Sequence, residues 1–149
     1  MKNRHGDEQH RIVVGVDGFE SSKAGLAWAI RQAKLTGATV EAVIAWHIPV
    51  STGWVPTADM PDYQEDAFTV LAEAINEMCT VDPDVQVCPR VLEGRAGRVL
   101  VEAADGADLL VVGSEGRRGL AEALLGSVGQ YCANNASCPV VIMRGKRDG

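Results

Sequence analysis

Gly113 and Gly116, followed after nine residues by the pair Gly126-Ser127, are the residues of this chain whose spacing suits chemistry best. They come after an apolar run, Leu109 to Val112, and lead into a helical pattern. A buried strand, a glycine-rich turn and a helix start, in that order, make a cradle for an oxyanion or phosphate. Backbone amides point at the ligand there, and the helix end carries partial positive charge. Glycine lets the ligand reach the backbone with no side chain in the way. The same residues also suit a plain tight turn. Arg117 and Arg118 lie inside the segment and could add charge-assisted contacts to phosphate, although adjacent loop arginines are more often solvated. Glu115 could face a metal, but a solvated loop glutamate is the simpler reading, and Gly119 falls outside the spacing.

The elements that must position this cradle follow from hydrophobic periodicity and turn residues. Residues 1–10 read as a disordered polar arm, 11–145 as a single domain and 146–149 as a charged tail. Arg11 to Asp17 is a short β-branched run without alternation, the mark of a strand buried on both faces, and Asp17-Gly18 turns the chain. A helix over 20–36 carries Leu26, Ala29, Ile30 and Ala33 on one face, with Ser21 or Ser22 available as cap and Gly37 as stop. A second strand spans 39–46. The loop 47–61, with Pro49, Pro56, Pro61 and Trp54, cannot be helical and reads as a cover over a ligand. A helix over 62–80 has Phe68, Leu71, Ala72, Ile75 and Cys79 as its apolar stripe. The strand 85–91 contains Pro89, which cannot donate to a ladder and so belongs at a sheet edge. Gly94 and Gly97 bracket a turn before a helix with Ala96, Val99, Leu100 and Ala103. After the glycine segment, Ala121, Leu124, Leu125, Val128 and Cys132 share a helical face, and 139–144 is a fifth strand.

Strands and helices thus alternate throughout, which predicts an α/β fold: a Rossmann-like open five-stranded parallel sheet with helices on both faces. With the third strand at an edge, the simplest order is 3-2-1-4-5. Ligands of such sheets bind beyond the carboxyl ends of the strands, where the order reverses. That point lies between strands 1 and 4, whose ends carry Asp17 and Gly113. A carboxylate suited to ribose hydroxyls or a base edge therefore faces the glycine cradle. The competing role for Asp17 is to cap the first helix.

Composition narrows the function classes. At 149 residues with 46% hydrophobic and 23% charged content, the chain can bury a substantial core. A net charge of −6 argues against coating nucleic acid. Cys79, Cys88, Cys132 and Cys138 have no ligand or redox spacing, and His5, His10 and His47 are scattered, so no metal site is expected. No secretion signal and no apolar run of membrane-spanning length is seen, which points to the cytosol and no membrane partner. The final strand, containing VVIM, would leave an apolar unpaired edge. A homodimer through 139–144 is the economical cover.

Gly113-x-x-Gly116, nine residues, then Gly126-Ser127 resembles the G-2x-G-9x-G-[S/T] motif of the universal stress protein family, in its ATP-binding branch. The likeness covers nearly the whole chain: VVGVDGFESS, LLVVGSEG, LLGSVGQY and the closing SCPVVIM. It implies a Rossmann-like homodimer binding ATP or a related nucleotide such as AMP or cyclic AMP, with magnesium able to accompany ATP. By position, Val16 and Asp17 would sit at the nucleoside, and Ala45 would lie on adenine through its backbone. Gly113, Gly116, Gly126 and Ser127 would hold ribose and phosphates. Phe19 departs from the small polar residue common after the DG pair. The expected role is a cytosolic stress-response regulator whose protein partner reads nucleotide occupancy. The alternatives are a slow ATPase or nucleotidyl transferase, a cyclic AMP binder, and a ligand-free scaffold. The motif lacks the Lys-Ser/Thr of a P-loop, and no second carboxylate or histidine stands beside the glycines, which weighs against phosphoryl transfer.

Overall fold

The structure, a computed structural model, describes residues 10–49, 61–114 and 125–145. The polar arm, most of the proline-rich loop with Trp54, Gly116 with Arg117 and Arg118, and the tail lie outside the described residues.

Five short apolar runs form the sheet: β1 (Arg11–Gly15), β2 (Thr39–Trp46), β3 (Val87–Glu93), β4 (Leu109–Gly113) and β5 (Val140–Met143). Their order is β3-β2-β1-β4-β5, as expected from Pro89, and every pairing is parallel. The third strand begins and ends two residues later than the sequence suggested. In a parallel ladder, alternate residues turn both backbone groups to the same neighbour. The Gln86 carbonyl and the Gly94 amide both bond to β2, so Pro89 faces away from it. Its missing N–H therefore costs the ladder nothing.

Alternation along β1 divides the core. Ile12, Val14 and Val16 pack on one face with Leu26, Ala29, Ile30 and Ala33 of α1 (Glu20–Thr36) and Ala67, Leu71 and Ala74 of α2 (Tyr63–Met78). Val13 packs on the other face with Val99 and Leu100 of α3 (Ala96–Ala103) and Cys132 of α4 (Ser127–Asn135). Burying each valine or leucine contributes about 1.5–3 kcal/mol, so both faces hold their helices firmly.

Local rules account for most boundaries. Gly37 ends α1 in the left-handed conformation (φ 79°) and donates to Ala33 O at 2.8 Å. Asp62 caps α2, its Oδ1 accepting from Glu65 N at 3.0 Å. Several expectations need correction. The N-cap of α1 is Phe19, and neither Ser21 nor Ser22 occupies it. The stripe of α2 is rotated: Phe68 is 55% exposed while Ala67, Leu71 and Ala74 are buried. Cys79 lies in a short 3-10 turn (Cys79–Val81) after the helix and is only half-buried. Gly97 is inside α3 rather than in a turn; a Cβ there would come within 2.9 Å of the Tyr131 ring, so it lets α4 pack closely. Leu125 and Gly126 precede α4 rather than belonging to it.

Candidate functional site

The site grows from the unequal lengths of three neighbouring strands. β1 stops at Gly15, whereas β2 continues to Trp46 and β4 to Gly113. Gly15 is level with Val43 and Val14 with Val111. Carrying those registers forward sets Asp17 beside Ala45 and Val16 beside Gly113. The Val16 amide donates to Val43 O at 2.9 Å, so Val43 faces β1. Ala45, two residues on, turns its backbone groups the same way, past the end of that strand. On the other side Leu110 N donates to Pro139 O and Ser114 N to Met143 O. Leu110, Val112 and Ser114 therefore face β5, and Gly113 faces β1. The result is a slot beyond β1, with backbone groups of Ala45 on one wall and Gly113 on the other.

The turn out of β1 is fixed by hydrogen bonds. Val16 is buried, and Asp17 and Gly18 are exposed. Gly18 takes φ 86°, a conformation that favours glycine. The Asp17 carboxylate accepts from Phe19 N at 2.9 Å, an Asx turn rather than the helix cap that was the competing reading. The Ser22 hydroxyl accepts from Asp17 N and donates to Phe19 O, each at 3.1 Å. Ser22 is buried, so this hydroxyl is a fixed part of the turn.

Gly113 is required twice over. A Cβ at this position would meet Ser21 Oγ and would lie 2.8 Å from Ser22 N. The first turn of α1 thus rests on the end of β4, which a side chain would prevent. The far end of the glycine segment is tied back here as well, since Gly126 N donates to Ser114 O at 3.1 Å. Gly113, Gly126 and Ser127 are therefore gathered at one end of the sheet. The first amides of α4, from Ser127 onward, have no carbonyl partner within the helix. Two helix N-termini, those of α1 and α4, bring partial positive charge to this region.

The structure so gathers Val16, Asp17, Ala45 and Gly113 at the slot and ties Gly126, with Ser127 beside it, to Ser114 at the same end of the sheet, while Gly116 lies outside the described residues. Sequence reasoning offered Ser22 only as a helix cap and did not single out Ser114. Both are buried polar residues, and the only signal for Ser114 was its position directly after Gly113.

Other features stand apart from the slot. A groove of about 280 Å³ lined by Asp62, Gln64, Glu65, Phe68 and Val91 lies at α2 and the edge strand β3, with β2 between it and β1. Cys132 is wholly buried, and burial, aided by Cys138, pushes its thiol up to about 11. Burial also raises the Cys138 thiol. Thiols raised in this way stay protonated at neutral pH. Among the described residues no three His, Cys, Asp or Glu side chains converge to hold a metal, and no helix is long and apolar enough to cross a membrane.

Comparison with known proteins agrees with this geometry. The chain is 36% identical over 137 residues to the universal stress protein Rv2623 of Mycobacterium tuberculosis, a match covering 92% of this chain and 46% of that protein. It thus spans about half the length of such relatives. A universal stress protein solved in complex with cAMP superposes with a TM-score of 0.71 at 27% identity, covering 92% of this chain and 98% of the other. A universal stress protein family protein from Arabidopsis thaliana with AMP bound shares the fold, with a TM-score of 0.55 at 18% identity over 93% of this chain and 94% of that one. The family model described as "Universal stress protein family" matches residues 9–144. A five-stranded sheet in this order, a glycine-bounded slot beyond its first strand and these likenesses agree: the chain belongs to the universal stress protein family.

Proposed function

We propose that this chain binds an adenine nucleotide, ATP in the first place, and acts as a cytosolic regulatory protein in a stress response. The observation that carries this reading is the slot beyond β1. Its walls are backbone groups of Ala45 and Gly113, the chemistry that reads a base edge and approaches a ribose without side chains. Asp17 stands at its mouth for the nucleoside. The start of α4 at Gly126 and Ser127 supplies amides and partial charge for phosphates, with Gly116 completing the spacing. The nucleotides held by the two solved relatives support the ligand class. Magnesium, when it accompanies ATP, rides on the phosphates in this reading, since no described cluster of ligands would hold it alone. The role is binding, with hydrolysis slow at most. A protein partner would sense occupancy through the ligand's differential affinity for two states. Two copies associate through 139–144, which covers the edge strand β5.

Calorimetric titration of nucleotide-free chain with ATP tests the reading. Saturable binding, weakened by about tenfold (~1.4 kcal/mol) in Asp17→Ala, is expected. Absence of binding by the wild type overturns it. Cyclic AMP is the second reading, favoured by the relative solved with that ligand at 27% identity. Competition between the two nucleotides decides, because the one with the lower dissociation constant displaces the other at equal concentration.

A further inference from the structure

The groove at the start of α2 and the edge strand β3 is lined by Asp62, Gln64, Glu65, Phe68 and Val91 and holds about 280 Å³. That is below the roughly 300–1,000 Å³ of a small-molecule site, and it suits one or two side chains of a larger partner. Phe68 offers it a ring that is 55% exposed, and covering that ring removes apolar area from water.

The backbone beside the groove is open as well. Gln86 O and Gly94 N bond to β2. By alternation Cys88, Arg90 and Leu92 face β2 too, whereas Val87, Pro89, Val91 and Glu93 turn outward. Pro89 has no N–H, so the outward donors towards the carboxyl end of β3 are those of Val91 and Glu93. Such a row is too short to join two sheets, but it is enough for a short extended segment added as a further strand. Side chains alternate with the same period. Val87 and Val91 pack with the core on the side of α1 and α2, so Glu93 stands on that face. An added segment therefore sets every second side chain against the groove.

Charge decides what those side chains must be. Asp62, Glu65 and Glu93 are exposed, and none has a cationic partner among the described residues. Arg90 points to the opposite face of β3, where Glu41 holds it at 3.3 Å. The positive end of α2 offsets only about half of one charge, so the rim of the groove stays negative.

We propose that this groove docks an extended segment of a partner protein in which an apolar residue and a Lys or Arg stand two places apart. The apolar side chain lies against Phe68 and Val91, and the cation meets the carboxylates of Asp62, Glu65 and Glu93. The backbone of the segment bonds to Val91 and Glu93. This surface is separate from the nucleotide slot, so the two readings stand or fall independently.

Fluorescence anisotropy of a labelled TLTKTLTKT peptide, titrated with the full chain, tests the proposal. The peptide carries the required pattern in either direction, on β-branched residues that favour an extended backbone. Saturable binding is expected, weakened by about tenfold in Phe68→Ser and by a similar factor in the double variant Glu65→Gln, Glu93→Gln. Affinity should fall as salt rises from about 0.05 to about 0.5 M, and TLTETLTET should not bind. No saturation up to about 1 mM chain overturns the proposal, as does equal affinity for the two peptides or an undiminished affinity in Phe68→Ser. Should Phe68→Ser fail to fold, the two peptides on the wild-type chain decide. Two other occupants are tested alongside. Peptide binding that appears only when residues 50–60 are replaced by a Gly-Ser linker assigns the groove to the chain's own loop. Sedimentation showing self-association that Phe68→Ser abolishes assigns it to a second copy. Either result overturns the proposal.

Discussion

A methyl group on Gly113 would stand 2.8 Å from the backbone nitrogen of Ser22, because the end of β4 and the first turn of α1 meet there. Backbone cannot retract as a flexible side chain can, so Gly113→Ala must displace one element. It should destabilise the fold by about 1–3 kcal/mol in urea unfolding, the usual cost of overpacking. Gly37→Ala is the control, with φ 79° but nothing within 4 Å of its Cβ position. It should cost about 1–2 kcal/mol from the left-handed backbone alone. Only the first substitution should also weaken nucleotide binding.

Ser22→Ala removes the hydroxyl that accepts from Asp17 N. Losing that hydrogen bond at an exposed residue should cost about 0.5–1.5 kcal/mol. Amide hydrogen exchange at Asp17 should accelerate beyond the change in global stability, and ATP affinity should fall. Unchanged exchange at Asp17 would show that the hydroxyl does not hold the turn.

The rotated face of α2 gives opposite expectations for two neighbours in one helix. Leu71 is wholly buried while Phe68 is 55% exposed. Leu71→Ala should therefore cost about 2–5 kcal/mol. Phe68→Ser should stay within about 0.5 kcal/mol. Thermal melts of the two variants check the pair directly.

Cys132 makes stability depend on alkaline pH. Its thiol is raised from 9.0 to about 11 in the folded chain. Between those values the unfolded chain has lost a proton that the native state keeps, so rising pH favours unfolding. The contribution is fully present below pH 9 and is lost as pH climbs towards 11. Urea midpoints should fall across this window, and Cys132→Ala should flatten the slope even though it lowers the midpoint at every pH.

What could be read in advance was local or topological. The runs RIVVG and LLVVG, the stop at Gly37 and the edge placement of Pro89 each rest on a property of a few consecutive residues, and together they yield the strand order and hence the slot. The face of α2 was misread because Leu71 belongs to two adjacent stripes. One runs through Phe68 and Ile75, the other through Ala67 and Ala74. The folded helix turns Ala67 and Ala74 to the core and leaves Phe68 exposed, with Ile75 packed at the margin. The part Ser22 plays in the Asp17 turn and the bonds of Ser114 were illegible for another reason. Their importance lies in backbone groups brought together across the fold, and a serine in a sequence carries no mark of that. Phe19 likewise gave no warning that it would stand at the N-cap of α1, where its carbonyl, not its side chain, takes the bonds from Ser22 and Lys23.

Pro89 makes the two edges of the sheet unequal. On β3 the outward row of donors is interrupted at its centre, beside the exposed Arg90, whereas β5 presents Val140 and Ile142 unbroken. A sheet with two equally receptive edges can add copies at both and grow without limit. With one edge blunted, any association along the sheet through β5 would end once two such edges had met, and growth into a fibre would be opposed by a single imino acid on the far side of the molecule.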